Sequence, residues 1–477
     1  MVDYFKSLIQ PDIRQMVRDR DKAGMAALIE VMHPAVAASI LEDLYDAEVW
    51  AVLDNATLPN RVEIFEYVAL RRQEELVKQL DQRRLSELLE EMSPDDRVDL
   101  LSRMPLERVE ELLRLIAQAE RNDIRRLLSY DENTAGAIMT TEYASLPANI
   151  SVADALGRLR QQAPDSETIY YIYILSDSRR LQGLISLREL ILAREDQQLA
   201  DIMETDVIRM QASEDREHVA QELARYNFIA MPIVDDEERL VGIVTHDDAI
   251  DVVQEEATED AYRQSAVEPL RDDYEDAPFL TILWNRGFWL LALSLVAIMT
   301  AGMLGLYERA TTHGIRNAPE DLSSMLIILF LPLVMASGGN AGSQSATLFI
   351  RMFALQPADT AVPGTEFRVD RRLVLRELLI GLALGAVLGL LDALVVAAGY
   401  GLGWWPSAGA SQDLWRSIVV GLTVLLIVLI GTGAGTLLPI LFRRFGMDPA
   451  IMSNPLIAAI VDVLGVVLFY EVAMAIL

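Results

Sequence analysis

The sequence predicts a mainly α-helical protein in two parts: a soluble half of stacked short helices followed by a duplicated α/β unit, and a membrane domain of five helices. Three observations predict it. The 477 residues carry 71 acids against 41 lysines and arginines, a formal charge of −30. Residues 278–477 hold roughly 12 acids and 11 bases, so nearly all of that imbalance lies in the first half. Apolar stretches of about 20 residues or more, enough to cross ~30 Å of hydrocarbon as helices, recur only in the second half. An internal repeat between roughly 140 and 255 supplies the third observation.

So acidic a soluble half repels nucleic acid and anionic lipid and attracts cations, which argues against a nucleic-acid partner. The chain has no cysteine, hence no disulfide framework and no thiolate metal site, as suits a reducing cytoplasm. Its start, Met1-Val2-Asp3-Tyr4-Phe5-Lys6, lacks a charged segment leading into an apolar core. The soluble half is therefore expected on the cytoplasmic side.

Residues 1–131 form the expected acidic helical domain, with Leu, Val and Met at spacings of three and four and breaks at Pro34, Pro59, Pro94 and Pro105. Ser93-Pro94-Asp95-Asp96 reads as a helix start, with Ser93 as cap. Stacked short helices, a solenoid, are the expected form. Asp95 and Asp99 share one helix face, an arrangement that is most often solvated surface.

The repeat pairs Ile169–Leu175 and Leu181–Leu190 with Ile229–Val234 and Leu240–Ile250, and sets Gly183 and Gly242 at matching places. Each copy reads helix, strand, turn, strand, helix. This resembles a tandem pair of CBS domains, expected at 132–200 and 201–254. The resemblance implies a ligand-sensing module, often for adenine nucleotides such as ATP, with Thr245 and Asp248 where such domains commonly meet a ribose. Thr245 followed by Asp248 is equally an N-terminal capping pattern.

The second copy leads into a dense acidic run, Asp247, Asp248, Asp251, Glu255, Glu256, Glu259 and Asp260. Like charges so close repel unless cations bridge them, which is a chemical basis for a divalent-ion switch. Glu214, Asp215 and Glu217 add carboxylates on the same unit, while His33, His218, His246 and His313 are scattered and form no ligand set.

Five apolar stretches follow, near 283–306, 322–350, 376–400, 415–442 and 450–477. Arg351, Arg368, Arg371, Arg372, Arg376, Arg443 and Arg444 fall in two loops of one side, against Arg309, Arg316 and Arg416 on the other. The positive-inside rule thus keeps the amino-terminal half cytoplasmic and puts the carboxyl end outside. Trp284, Trp289, Trp404, Trp405 and Trp415 read as interfacial anchors. Glycines four apart (338 and 342; 381, 385 and 389; 431 and 435) predict close helix approach.

The second stretch is polar from Ala336 to Thr347, and backbone of that kind belongs beside a wet path. In the fifth, Asn454, Ala458 and Asp462 share one face over ~12 Å of helix axis. Pro455 lacks an N–H and frees the carbonyl of Ile451. A carboxylate, an amide oxygen and a spare carbonyl suit a hard cation such as Mg²⁺ or Ca²⁺, and Mg²⁺ would keep much of its water. A charge this deep is costly, so Asp462 lines a cavity or serves as a neutral helix–helix hydrogen-bonding group. Asp392, also in an apolar stretch, is either a second pathway group or a partner for another helix.

Ala135-Gly136-Ala137-Ile138-Met139-Thr140, Glu167–Tyr173, the acidic run at 256–260, Gly338–Thr347, and Ser453-Asn454-Pro455-Leu456 followed by Asp462 together resemble the MgtE family of magnesium channels, over essentially the whole chain. The resemblance implies a homodimer in the cell membrane, a pore between the second and fifth helices of two subunits, and a cytosolic sensor that closes the pore when Mg²⁺ is plentiful. It makes Asp462 the ion-binding pore acid, with Ala458 beside it through backbone and Asn340 and Asn454 shaping the path. It places Asp95 and Asp99 facing the CBS unit, puts Asp248, Asp251, Glu256, Glu259 and Asp260 in a linker-side cluster, and makes residues 255–278 a connecting, or plug, helix ahead of a transmembrane domain at 279–477. The regulatory set is then Asp95, Asp99, Glu214, Glu217, Asp247, Asp248, Asp251, Glu255, Glu256, Glu259 and Asp260.

The expected function is passive, gated Mg²⁺ influx and not enzymatic. A proton- or sodium-coupled secondary divalent-cation transporter would use the same midplane acid. An intramembrane aspartyl protease built on Asp392 and Asp462 would need Tyr-Asp and Gly-any-Gly-Asp motifs, which are absent.

Overall fold

A computed structural model of the chain describes residues 2–270, 274, 277–312, 324–354, 371–405, 407, 409–445, 447–451 and 454–476. The chain divides into two compact units, Met1–Val253 and Gln254–Leu477.

The first unit opens with ten short helices: α1 (Val2–Asp19), α2 (Lys22–Val31), α3 (Pro34–Leu41), α4 (Asp46–Leu53), α5 (Leu58–Glu66), α6 (Leu70–Val77), α7 (Gln82–Glu91), α8 (Pro94–Ser102), α9 (Leu106–Leu113) and α10 (Gln118–Leu127). Prolines 34, 59 and 94 sit in first turns, where the missing N–H is no loss. Beyond α1, which packs on α2, α3 and α4, odd-numbered helices pack on odd-numbered neighbours and even on even: α3 on α5, α5 on α7, α7 on α9, and α2 on α4, α6 on α8, α8 on α10. Between the two rows runs one continuous core that includes Ile40, Leu53, Phe65, Leu76, Leu85 and Leu101.

Two matching α/β units follow. The first comprises β1 (Tyr143–Pro147), α11 (Val152–Gln162), β2 (Thr168–Leu175), β3 (Leu181–Ser186) and α12 (Leu187–Leu192). After α13 (Leu199–Ile202) the second comprises β4 (Met210–Gln211), α14 (Arg216–Tyr226), β5 (Ala230–Val234), β6 (Leu240–Thr245) and the start of α15 (His246–Gln264). Each sheet has one parallel and one antiparallel pairing, in the orders β1-β2-β3 and β4-β5-β6.

The repeated glycines now have a reason. Thr140 exchanges two 2.9 Å hydrogen bonds with Ile243, and Glu204 does the same with Leu184, so a segment from outside each sheet pairs with its last strand. A Cβ at Gly242 would meet the Thr140 carbonyl at 2.8 Å, and one at Gly183 the Glu204 carbonyl at 2.9 Å. Val98 of α8 and Leu127 of α10 are buried in one cluster with Met139, Met231, Ala249 and Val252, which seats the helical domain on the second α/β unit.

Five long helices form the second unit: α16 (Phe279–Thr312), α17 (Ser324–Ala354), α18 (Arg371–Gly401), α19 (Ala410–Arg444) and α20 (Asn454–Ile476). Among the described residues, α16, α18, α19 and α20 are each long and apolar enough to cross a membrane. α19 is central, packing on α17, α18 and α20, while α16 touches the bundle through α20. The glycine rows make this possible: Cβ atoms at Gly342, Gly385 and Gly381 would lie 3.0 Å from the Gly431 carbonyl oxygen, 2.7 Å from that of Leu425 and 2.8 Å from the Thr432 side chain.

Two expectations shift. α15 runs unbroken from His246 to Gln264, so the expected boundary at 254/255 falls inside one helix, and that helix ends well before 278. The last apolar stretch is not one helix from 450: a 3₁₀ turn, Pro449–Ile451, precedes α20, which starts at Asn454 with Pro455 in its first turn. Pro455 therefore helps begin the helix and does not loosen its middle.

Candidate functional site: two groups of carboxylates and a polar membrane face

In the first unit, docking of α8 on the second α/β unit brings acids from distant parts of the chain together. Asp95 feels the charges of Asp96, Glu167 and Asp248, and burial pushes its carboxyl well above the usual range. Its Oδ1 is sealed from solvent and accepts no hydrogen bond. Burial, with Glu66, Asp99 and Asp248, raises Asp96 to about 7 even though Ser93 Oγ donates to it at 3.1 Å. Glu167 is raised to about 7 by burial and by Asp248, Asp247 and Glu142. Asp248 and Glu66 are raised too, burial being the first cause in both. Arg97, on which Asp95 acts by charge, does not bring the Asp95 carboxyl back down.

Buried, mutually repelling carboxylates with an orphaned oxygen fit a cation. Among the described residues no three acids or histidines converge closely enough to hold a metal ion directly.

Of the other residues expected as regulatory, Asp99, Asp247 and Asp251 act on this cluster through their charge. Asp99 is exposed. Glu214 accepts from Gln211 N at 2.8 Å and pairs with His218 at 3.2 Å, which holds its carboxyl below the ordinary range. Glu217 accepts from Gln221 at 2.8 Å. Thr245 Oγ1 donates to Asp248 and, at 2.5 Å, to Asp247, while Asp248 accepts from the Thr245 backbone at 3.3 Å. That is the capping pattern, and it engages the hydroxyl expected at a ribose. Asp251 and Glu255 line the outer side of α15, exposed, with Glu256 half-buried.

In the second unit, Glu259 pairs with Arg263, which also pairs with Asp448. Burial and Asp448 push Asp260 up to about 6, against the pull of Arg263 and Arg351. Sequence reasoning noted Asp96 only as a neighbour of Asp95 and did not single out Glu66, Glu167, Asp448 or Arg263 as site residues. Glu167 stood in a recognised motif, but nothing local ties Asp448 to α15.

α17 and α20 run antiparallel and close: a Cβ at Gly339 would meet Ala458 Cβ at 3.3 Å. Thr347 Oγ1 donates to Asn454 Oδ1 at 3.3 Å, and Ser343 Oγ to the Asn454 carbonyl at 3.2 Å. On the other side of α17, buried Ser345 donates to Glu377 of α18 at 2.8 Å. Asn340, Gln344 and Thr347 form an exposed polar strip on α17, and Asp462 is half-buried on α20. Among the described residues Asp462 makes no hydrogen bond or ion pair, unlike Asn454. Asp392 is half-buried on α18 and likewise without a partner, apart from the strip.

The family model described as "Divalent cation transporter" matches residues 331–472, the MgtE intracellular N domain matches 32–133, and the CBS domain matches 135–196 and 199–255. The chain is 34% identical over 464 residues to a magnesium transporter, MgtE, of Thermus thermophilus, covering 97% of each. A Bacillus subtilis protein of the same name is 29% identical over 460 residues, 96% of this chain and 95% of that one. A crystal structure of the soluble part of a magnesium transporter aligns with 53% of this chain and 99% of its own, with a TM-score of 0.50 and 31% identity.

Proposed function

The chain belongs to the MgtE family of divalent cation transporters, and from that premise we propose that it is a Mg²⁺ channel, gated closed by Mg²⁺ on the cytoplasmic side. One observation carries the reading. Asn340, Gln344 and Thr347 leave a polar strip uncovered on α17, beside an α20 carboxylate without a partner, inside a unit otherwise built for hydrocarbon. Polar groups at that depth need water, an ion or a second protein surface. A second copy related by a two-fold axis supplies all three, because it encloses the strip and brings two Asp462 carboxylates to one path. α17 is then the fifth crossing, with the carboxyl end outside.

Two facing carboxylates attract a dication, and Mg²⁺ dehydrates reluctantly, so it passes with most of its water held by carboxylate, amide and carbonyl oxygens. Gating follows from the buried acids. Their like charges oppose docking of α8 on the second α/β unit. Mg²⁺ between Asp95, Asp96, Glu167 and Asp248 offsets that repulsion and favours the docked, closed form. The ion shifts the equilibrium only through its tighter binding to that form. When Mg²⁺ falls, the carboxylates push apart, and undocking within the first unit lets the pore open. Asp462→Ala should abolish Mg²⁺ uptake into liposomes while leaving assembly intact, and normal uptake by that variant would sink the pore assignment.

A further inference from the structure

Arg263, in the last turn of α15, forms ion pairs with Glu259 one turn back and with Asp448. Asp448 is far away in sequence and directly precedes the 3₁₀ turn that leads into α20, where its Oδ1 also accepts from Ala450 N at 2.8 Å. Just past Arg263 the chain folds back, with Ala266 at φ 56° and Val267 N donating to the Tyr262 carbonyl at 3.0 Å. Glu268 N then donates to the Asn285 carbonyl at 3.3 Å, and Asn285 Nδ2 reaches the carbonyls of Glu268 and Pro269 at 3.3 and 3.2 Å. The linker is thus fastened to α16 through backbone and to the lead of α20 through a guanidinium.

We propose that Arg263 is a positioning residue, a tethered cation that holds the Glu259 and Asp448 carboxylates together without metal and so keeps the end of α15 tied to the lead of α20. Two carboxylates from separate elements repel, and bringing them together takes a positive charge from somewhere. A guanidinium supplies it from within the chain, with a planar fork that can serve two carboxylates at once. Asp260 and Glu268 add two more acids to the group and Arg351 a second base, so acids outnumber bases and an arriving dication competes with Arg263. The consequence for gating rests on the channel reading above; the tether itself does not. It predicts that in low Mg²⁺ the linker stays docked at this point while the sensor acids of the first unit govern opening.

Hydrogen–deuterium exchange of the full-length protein in nanodiscs, with EDTA and then with Mg²⁺, tests this on peptides spanning 262–270. The wild type is expected to protect the Val267 and Glu268 amides in EDTA. Arg263→Gln should speed their exchange at least tenfold, and Mg²⁺ should restore protection by bridging the same acids. Arg263→Lys, which keeps the charge and loses the fork, should fall between. The exchanged pair Arg263→Asp with Asp448→Arg should regain most of the protection, which separates an ion-pair role from a general folding defect. Exchange in Arg263→Gln equal to wild type in EDTA, or no rescue by the exchanged pair, overturns the proposal. Protection that never responds to Mg²⁺ in any variant, with the tether effects intact, would instead count against Mg²⁺ gating.

Discussion

Binding of Mg²⁺ to the acids around Asp95 should release protons, in a number set by pH. Asp96 and Glu167 are each raised to about 7. At pH 6.5 a group with that pKa is about three-quarters protonated, so the two together hold about 1.5 protons that a cation must displace. Asp95 and Asp248 are shifted the same way and add to this. At pH 9 the contribution of Asp96 and Glu167 is close to zero.

An acid with a raised pKa in the docked state favours docking in acid, and that advantage is lost as pH climbs from about 4 to about 7, above which the full charge penalty applies. A tenfold change in proton affinity corresponds to ~1.4 kcal/mol, so holding both carboxylates ionised costs on the order of several kcal/mol, which a bound dication offsets. Calorimetric titration of the full-length protein with Mg²⁺ at pH 6.5, in buffers of different ionisation enthalpy, counts the protons. About 1.5 or more should be released at pH 6.5 and about none at pH 9, with fewer from Asp95→Asn at pH 6.5. Mg²⁺ binding that releases no protons at pH 6.5 would refute the reasoning.

Other outcomes follow from the same geometry. Gly435→Ala should destabilise the membrane unit by about 1–3 kcal/mol or more, because its Cβ would overlap the Gly342 carbonyl oxygen; thermal unfolding in detergent measures it. Gly157→Ala in α11, with open space around the new methyl, should instead stabilise by about 0.5–1 kcal/mol. Thr245→Val removes the hydroxyl that bonds Asp247 and Asp248 at the start of α15 and should cost about 1 kcal/mol without any nucleotide present, whereas a loss seen only when ATP is added would assign the hydroxyl to a ligand.

Much of this architecture was legible because it rests on local patterns. Apolar length marked the long helices, proline spacing marked the short ones, and the twin glycines marked the two sheets, although their purpose, the close approach of Thr140 and Glu204, lay outside the repeat. The continuity of α15 was legible as well, since no proline or glycine interrupts 246–264, but the domain boundary drawn by analogy hid it. What stayed invisible depended on docking. Glu167 and Asp248 join Asp95 only because Val98 is buried against the second α/β unit, and Asp448 meets Arg263 only when the lead of α20 lies beside the end of α15. Neither meeting leaves a trace in spacing. Asp462 was legible as a carboxylate among apolar neighbours, whereas the uncovered polar strip on α17 required the helices to be placed.

Single-channel recording from reconstituted protein, with Mg²⁺ varied on the cytoplasmic side, tests the central claim most directly. Mg²⁺-carried currents are expected whose open probability falls as cytoplasmic Mg²⁺ rises, with no dependence on a proton or sodium gradient. Opening that is indifferent to cytoplasmic Mg²⁺, or flux that requires such a gradient, would contradict a Mg²⁺-gated channel.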